Sequence, residues 1–144
     1  MVDSQRKFPH TVTCSTAHSL AFRAVGKKFK HRLDSDRMRS SEIAHRLGLE
    51  RVALTYAGER KVLSERYLAG LTMRAVVRFC QSADMEPSGQ HVPYIDGIDE
   101  LEGGVRGWHN NNQVRKFLEP FVRKAWNDLS STTGQLPYRH DHYL

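Results

Sequence analysis

"SSEIAHRLGLERVALTYAG", residues 40–58, decides how the first half of this chain folds. Its opening part has the features of a short helix. Ser41 is a competent N-cap, apolar residues then recur at helical spacing up to Leu47, and Gly48 is a natural residue just past a helix end. We therefore predict a helix over residues 41–47.

The segment after Gly48 allows two interpretations. As a helix, it places Val52 and Tyr56 on one side. As a strand, it alternates apolar residues at Val52, Leu54 and Tyr56. Gly58 ends the segment in either case.

Ser64 follows as the N-cap of the strongest helix pattern in the sequence, "ERYLAGLTMRAVVRFCQSA". We predict a helix over residues 64–83, with a broad apolar face that belongs to the core. The members of this face are Leu68, Leu71, Ala75, Val76 and Phe79.

Two further helices are predicted at the ends of the chain. The first covers residues 15–33, capped by Ser15 or Thr16, with Gly26 as its weak point. The second covers residues 113–129 and is capped by Asn112. It kinks or restarts at Pro120, because proline lacks the donor for the bond four residues back.

The fold class predicted from these patterns is mainly α, a small single-domain helical bundle. It has an extended N-terminal arm, a long acidic connection rich in Gly and Pro, and an extended C-terminal tail. The predicted parts are a basic arm (1–14), a helical core (15–83), the acidic connection (84–112), a kinked C-terminal helix (113–129) and a tail (130–144).

Charge is segregated along this chain, whose formal net charge is +6. Residues 4–33 contain no acid, whereas residues 79–105 contain six acids and no Lys or Arg. A basic face favours phosphate or acidic partners, although many charge runs only face solvent. The predicted contacts to a partner or polyanion are Arg23, Lys27, Lys28, Lys30 and Arg32.

Residues 40–58 also have the outline of a DNA-reading helix-turn-helix, which is the alternative function. Its second helix would enter the major groove, and its candidate contacts are Arg51, Thr55 and Arg60. Glu50 counts against this interpretation, since an acid at the start of a recognition helix would face phosphates.

No catalytic or metal-binding motif is complete. "GWHNNNQVRKF", residues 107–117, combines His and Asn as some metal nucleases do, but lacks their second histidine and supporting carboxylate. His140 and His142 have no further metal-ligating pair, and "DGIDELEGG", residues 96–104, fails the register of a calcium loop. We expect no enzymatic activity, no cofactor and no metal.

Compartment is constrained by the cysteines and by the N-terminus. Cys14 and Cys80 cannot make a disulfide scaffold, which favours a reducing, intracellular location. The N-terminus is rich in Ser, Thr and basic residues and poor in acids, as in mitochondrial import signals. It is either such a signal, which places the protein in mitochondria, or a structural basic arm of a cytoplasmic protein.

The predicted function is therefore a non-enzymatic basic helical subunit of a larger multi-subunit assembly, either a mitochondrial complex or a ribonucleoprotein. Its partners are other protein subunits, with RNA as a second polyanion. DNA is a partner only under the helix-turn-helix alternative. No apolar run approaches the roughly 20 residues that span a bilayer.

Overall fold

The computed structural model describes residues 16–33 and 37–143, with the side chains of residues 18, 140 and 143 excepted. The predicted arm, residues 1–14, lies outside this range. The helices are α1 (Ala17–Ala24), α2 (Lys30–Leu33), α3 (Ser40–Leu47), α4 (Glu65–Cys80) and α5 (His109–Leu129). The strands are β1 (Val52–Tyr56), β2 (Glu59–Leu63), β3 (Leu101–Glu102) and β4 (Val105–Arg106). Single 3-10 turns cover Gly26–Phe29, Gly89–His91 and His140–Tyr143.

The prediction of a mainly helical bundle is wrong, because the described chain is a mixed α/β structure. It contains two small antiparallel sheets, one formed by β1 and β2 and the other by β3 and β4. Each sheet is a two-stranded hairpin, and such hairpins are only marginally stable alone. The first hairpin is anchored in the core by the buried Leu54, whereas all four strand residues of the second hairpin are exposed.

The first hairpin replaces the second helix that the alternative function required. In β1, Val52 and Leu54 point inward while Ala53 and Thr55 are exposed, which is the alternation of a half-buried strand. The two-residue loop Ala57–Gly58 has positive φ at both positions, as a type I′ turn requires. The alternating burial along β1 and the glycine in the turn therefore favour a hairpin over a helix.

Helices α4 and α5 form the centre of the core. Ser64 caps α4 as predicted, its hydroxyl accepting a hydrogen bond from the backbone N–H of Tyr67 at 3.2 Å. The predicted apolar face of α4 is buried. The side chains of this core with the least exposure include Leu68, Ala75, Val76, Leu118, Val122, Ala125 and Leu129.

Helix α5 differs from its prediction at both its start and its middle. It begins at His109, four residues before the predicted Gln113, and it continues as one helix through Pro120. Pro120 is exposed, so the carbonyl that loses its donor lies on the solvent side, where water can satisfy it. The early start has a different cause, a carboxylate from the preceding loop.

The single helix predicted over residues 15–33 is three short pieces. Thr16 caps α1, but α1 ends at Ala24, and the chain turns tightly through Gly26, which is buried. This turn directs Phe29 against Tyr138, with ring centroids 4.5 Å apart and an interplanar angle of 4°. The stacking of Phe29 on Tyr138 therefore outweighs the continuation of α1 as one long helix.

The C-terminal tail, which was predicted to be extended, packs on the core, and the long acidic connection does so as well. In the connection, Val92, Ile95 and Ile98 are buried against the helices. In the tail, Leu136 and Tyr138 are buried as well. Both segments belong to the folded unit.

Phe79→Ala is expected to destabilise the fold by about 3–5 kcal/mol, because truncating a buried aromatic leaves a cavity. Phe79 packs edge-on against Trp126, with ring centroids 5.2 Å apart. Urea unfolding measures the change in the free energy of unfolding. Met85→Ala is the control, since Met85 is 93% exposed and should change stability by less than about 0.5 kcal/mol. Similar values for the two variants would contradict the assignment of Phe79 to the core.

Candidate functional site

The basic segment, defined here as residues 17–33, carries most of the predicted partner contacts. Arg23 lies on α1, Lys27 and Lys28 lie on the following 3-10 turn, and Lys30 begins α2. All four side chains are exposed. They occupy a stretch that contains no acid. The structure therefore leaves these four cations on the surface, where a partner can reach them.

Arg32, the fifth predicted contact, is buried and serves the fold. Its Nη1 donates to the carbonyls of Asp128, Leu129 and Ser131 at 2.9, 3.1 and 2.6 Å. Its Nη2 donates to the carbonyl of Leu136 at 2.7 Å and to Asp128 Oδ1 at 3.1 Å. The guanidinium thus satisfies carbonyls that the C-terminal end of α5 leaves open. A side chain committed in this way is not available to a partner.

The three residues of the DNA-binding alternative lie on and beside the first hairpin. Thr55 and Arg60 face each other across β1 and β2, and both are exposed. Arg51 precedes β1 and forms a long ion pair with Glu65, at 3.7 Å between Nη2 and Oε1. These residues are neighbours, but no helix presents them, so the helix-turn-helix interpretation lacks its recognition helix.

The asparagines of "GWHNNNQ" build the start of α5, but through Asn110 and Asn111 rather than through the predicted cap Asn112. Asp99 Oδ1 accepts the backbone N–H of Asn110 at 2.7 Å, and Oδ2 accepts that of Asn111 at 2.8 Å. The Asn111 side chain donates to Asp99 Oδ2 at 2.9 Å and bonds both backbone groups of Ile95. Asn110 Nδ2 donates to the carbonyls of Thr55 and Ile98, which ties the first hairpin to α5.

Asp99 acts as the N-cap of α5 from outside the helix. Its environment has opposing effects on its pKa. Burial raises the pKa, but the backbone N–H groups of Asn110 and Asn111 lower it more, so the net shift is downward. Local sequence rules could not find this cap, because Trp108, the residue at the N-cap position, makes no side-chain cap bond. The carboxylate and amide oxygens here are occupied by protein donors.

Ser82, Asp84 and His91 look like a hydrolytic triad in composition but not in geometry. His91 Nδ1 accepts the backbone N–H of Ser88 at 3.0 Å, so the ring proton lies on Nε2. Nε2 faces Asp84 Oδ2 at 2.7 Å and Ser82 Oγ at 3.5 Å. A neutral His91 therefore has no free base nitrogen for the serine, and the cluster holds the loop after α4 in place.

His142 also serves the fold, in a tail that was predicted to be extended. The ring is buried, its Nδ1 accepts the backbone N–H of Arg139 at 2.9 Å, and its Nε2 is buried with no hydrogen-bond partner among the described residues. Its pKa is lowered to about 4, mainly by burial; the charge of Asp141 opposes this shift, and the charges of Arg139 and Arg32 add to it. The side chain of His140 lies outside the described part.

An open groove of about 760 Å³ runs between α3 and the C-terminal end of α5. Its lining carries both signs of charge, from Glu42, Asp128 and Arg46, together with His45. A second groove of about 370 Å³ shares Ser41 and His45 with it. With mixed charge, neither groove favours an anion or a cation.

In the part of the chain that the structure describes, no group of three or more His, Cys, Asp or Glu side chains is placed to hold a metal ion. Within residues 16–33 and 37–143, none of the helices combines the length and apolar composition needed to cross a bilayer.

Comparison with known proteins yields no match: no family model, no curated protein and no solved structure is similar to this chain.

Asp99→Ala should destabilise the protein by about 2–3 kcal/mol, because it removes a charged acceptor and leaves the first N–H groups of α5 unpaired. Urea unfolding gives the free energy. Asp96→Ala is a matched control, since Asp96 is three residues away and makes only a long, exposed ion pair to Arg106 at 3.7 Å. If Asp96→Ala cost as much, Asp99 would have no special role at the helix start.

His142 should make stability fall in mild acid. Its pKa is about 4 in the folded chain and 6.5 when unperturbed, so the unfolded state takes up more protons between these values. The contribution is therefore complete above pH 6.5 and is lost as the pH falls towards 4, by up to about 3 kcal/mol. The measurement is the free energy of unfolding in urea at several pH values.

The control for this pH dependence is His142→Asn, whose Oδ1 can still accept the N–H of Arg139 but does not titrate. All other groups titrate equally in both proteins. The stability difference between them should therefore change with pH only between about 6.5 and 4. If the free energies of unfolding of the two proteins run parallel across that window, the protonation of His142 does not contribute to the loss of stability in acid.

Proposed function

We propose that this protein is a non-enzymatic subunit of a larger multi-subunit assembly, either a mitochondrial complex or a cytoplasmic ribonucleoprotein. The basic segment docks it on an acidic surface of a protein subunit or of RNA. The observation that carries this proposal is the exposure of Arg23, Lys27, Lys28 and Lys30 on one short stretch without acids.

Exposed apolar side chains on the basic segment support its role in docking, since a segment that only faced solvent would not need them. Leu20 is 55% exposed and Val25 is 42% exposed, next to Arg23 and Lys27. Burying an apolar side chain in an interface removes its surface from water, which favours association. Cations around such a patch steer an acidic partner and set its orientation.

The absence of enzymatic activity remains part of the proposal, and the bonding of the reactive side chains supports it. His91 is bonded to Asp84, Asp99 caps α5, and His142 is buried in the tail. Each of these side chains is engaged in contacts that stabilise the fold. DNA reading through a helix-turn-helix has no such support, because residues 52–56 form a strand.

Replacing Lys27, Lys28 and Lys30 together with Gln should weaken incorporation into the assembly, because three exposed charges are removed while the helical pieces can persist. The measurement is co-sedimentation of a tagged chain with its complex in cell extracts. The loss of affinity relative to the unaltered protein should be larger in 50 mM than in 150 mM salt, since salt screens the lysine contacts that only the unaltered protein makes.

Arg51→Ala serves as the control, because it removes an exposed cation outside the basic segment. It should leave co-sedimentation unchanged. If the triple variant co-sediments as well as the unaltered protein, the basic segment does not dock the chain. Nuclease treatment of the extract separates the two kinds of partner: release identifies RNA, and retention identifies protein.

A further inference from the structure

Trp108 presents a large aromatic surface at the opposite end of α5 from the basic segment. It is 40% exposed at the N-cap of the helix. Its ring meets that of Tyr94 edge to face, with centroids 4.8 Å apart and an interplanar angle of 73°. Tyr94 is itself held by a hydrogen bond from its hydroxyl to the carbonyl of Gly107 at 2.8 Å. The two rings therefore form a fixed platform.

Two arginines extend this platform. The guanidinium carbon of Arg115 lies 4.6 Å from the centroid of Trp108, and that of Arg106 lies 4.7 Å from the centroid of Tyr94. Arg115 is two turns after Trp108, so both lie on the same face of α5. We call Tyr94, Arg106, Trp108 and Arg115 the Trp108 cluster.

Arg78 and Arg115 have no carboxylate partner among the described residues, although exposed acids lie on the adjoining loop and hairpin, among them Asp96, Glu100 and Glu102. Arg78 of α4 is exposed and close enough to Arg115 to lower its pKa, in addition to the larger effect of burial. Arg115 donates to the carbonyl of Val92 at 2.9 Å, but its buried Nε has no partner. Among the described acids, none forms an ion pair with Arg78 or Arg115, and the Arg106–Asp96 pair is long and exposed.

The nearest acid along α5 is already engaged. Glu119, one turn after Arg115, receives Arg123 Nη2 at 2.9 Å and the backbone N–H of Gly89 at 3.4 Å. An anion beside Arg78 and Arg115 would relieve their repulsion, and the exposed guanidinium of Arg78 can donate two parallel hydrogen bonds to a phosphate.

We propose that the Trp108 cluster binds single-stranded nucleic acid, with a base stacked on Trp108 and a backbone phosphate held by Arg78 and Arg115. An acidic protein would use the cations but leave the ring exposed, and an apolar peptide would use the ring but bury the cations without partners. A single strand offers a π-face and a phosphate at once, whereas a duplex hides the base faces in its own stack.

This site does not depend on the proposed docking of the basic segment. Arg32 binds the carbonyl end of α5, and the 21 residues of the helix place Trp108 about 30 Å away at 1.5 Å per residue. The two surfaces can therefore fail or succeed independently.

The test uses the full chain and a fluorescently labelled single-stranded RNA of 12 nucleotides, with DNA of the same sequence in parallel. Trp108→Ala should weaken binding by about 5- to 150-fold, the loss expected for one base stacked on an aromatic ring. Tyr67→Ala is the matched control, because Tyr67 is also 40% exposed but lies near the start of α4. Binding is measured by fluorescence anisotropy.

A second set of variants keeps the test valid if Trp108→Ala does not fold. Arg78→Gln should weaken binding and reduce the slope of log affinity against log salt by about 0.7, the value for one lost phosphate contact to a single strand. Arg66→Gln removes the same charge from α4, about 18 Å from Arg78 along the helix axis, and it should leave the slope unchanged.

Stacking on Trp108 can be observed by tryptophan fluorescence, because the chain contains two tryptophans and one of them can be replaced. In a Trp126→Phe background only Trp108 remains, and single-stranded RNA or DNA should quench its fluorescence, also when Lys27, Lys28 and Lys30 are replaced by Gln. The proposal is overturned if neither strand binds, if duplex RNA binds as well as single strands, or if Trp108→Ala and Tyr67→Ala bind alike.

Discussion

The two ends of helix α5 are each stabilised by a charged side chain from a distant part of the chain. Asp99 accepts the first N–H groups, and Arg32 donates to the last carbonyls. An α-helix leaves four N–H and four C=O groups unsatisfied at its ends, and its dipole favours a negative charge at the start and a positive charge at the end. Both side chains match the sign of the helix end that they bind, and the local sequence of α5 supplies neither.

The position of the other elements follows from these two contacts. Asp99 fixes the connection before α5, and Asn110 beside it bonds Thr55 of the first hairpin. Arg32 joins the basic segment to the tail, where it also lies 5.2 Å from the ring centroid of Tyr138. Segments without regular structure are thereby held at the ends of one long helix. The proposed docking surface and the Trp108 cluster are consequently held apart at a fixed separation.

Features set by neighbouring residues could be predicted from the sequence, and features set by distant contacts could not. The cap at Ser64 and the left-handed Gly48 depend on spacing within a few residues. The alternation in β1 does so as well, but residues 52–56 also fitted a helix, so the strand was one of two interpretations. Arg32 in a basic stretch looked like its exposed neighbours, because only its tertiary position separates it from Lys30. Asp99 looked like one more acid in an acidic run, and its role depends on a helix start ten residues later.

The same distinction explains why residues with reactive side chains gave misleading signals. Histidine, aspartate and asparagine are suited to catalysis because they bond strongly and directionally, and these properties also suit them to joining irregular loops to helices. Here Asn111, Asp99 and His91 are used in that second way. By contrast, Arg23, Lys27, Lys28 and Lys30 are exposed, and Trp108 is 40% exposed. The basic segment at one end of this helix and the Trp108 cluster at the other would allow one assembly to contact both proposed surfaces, about 30 Å apart. In such a complex the second contact forms within an existing one, so two weak contacts give a tight and specific assembly.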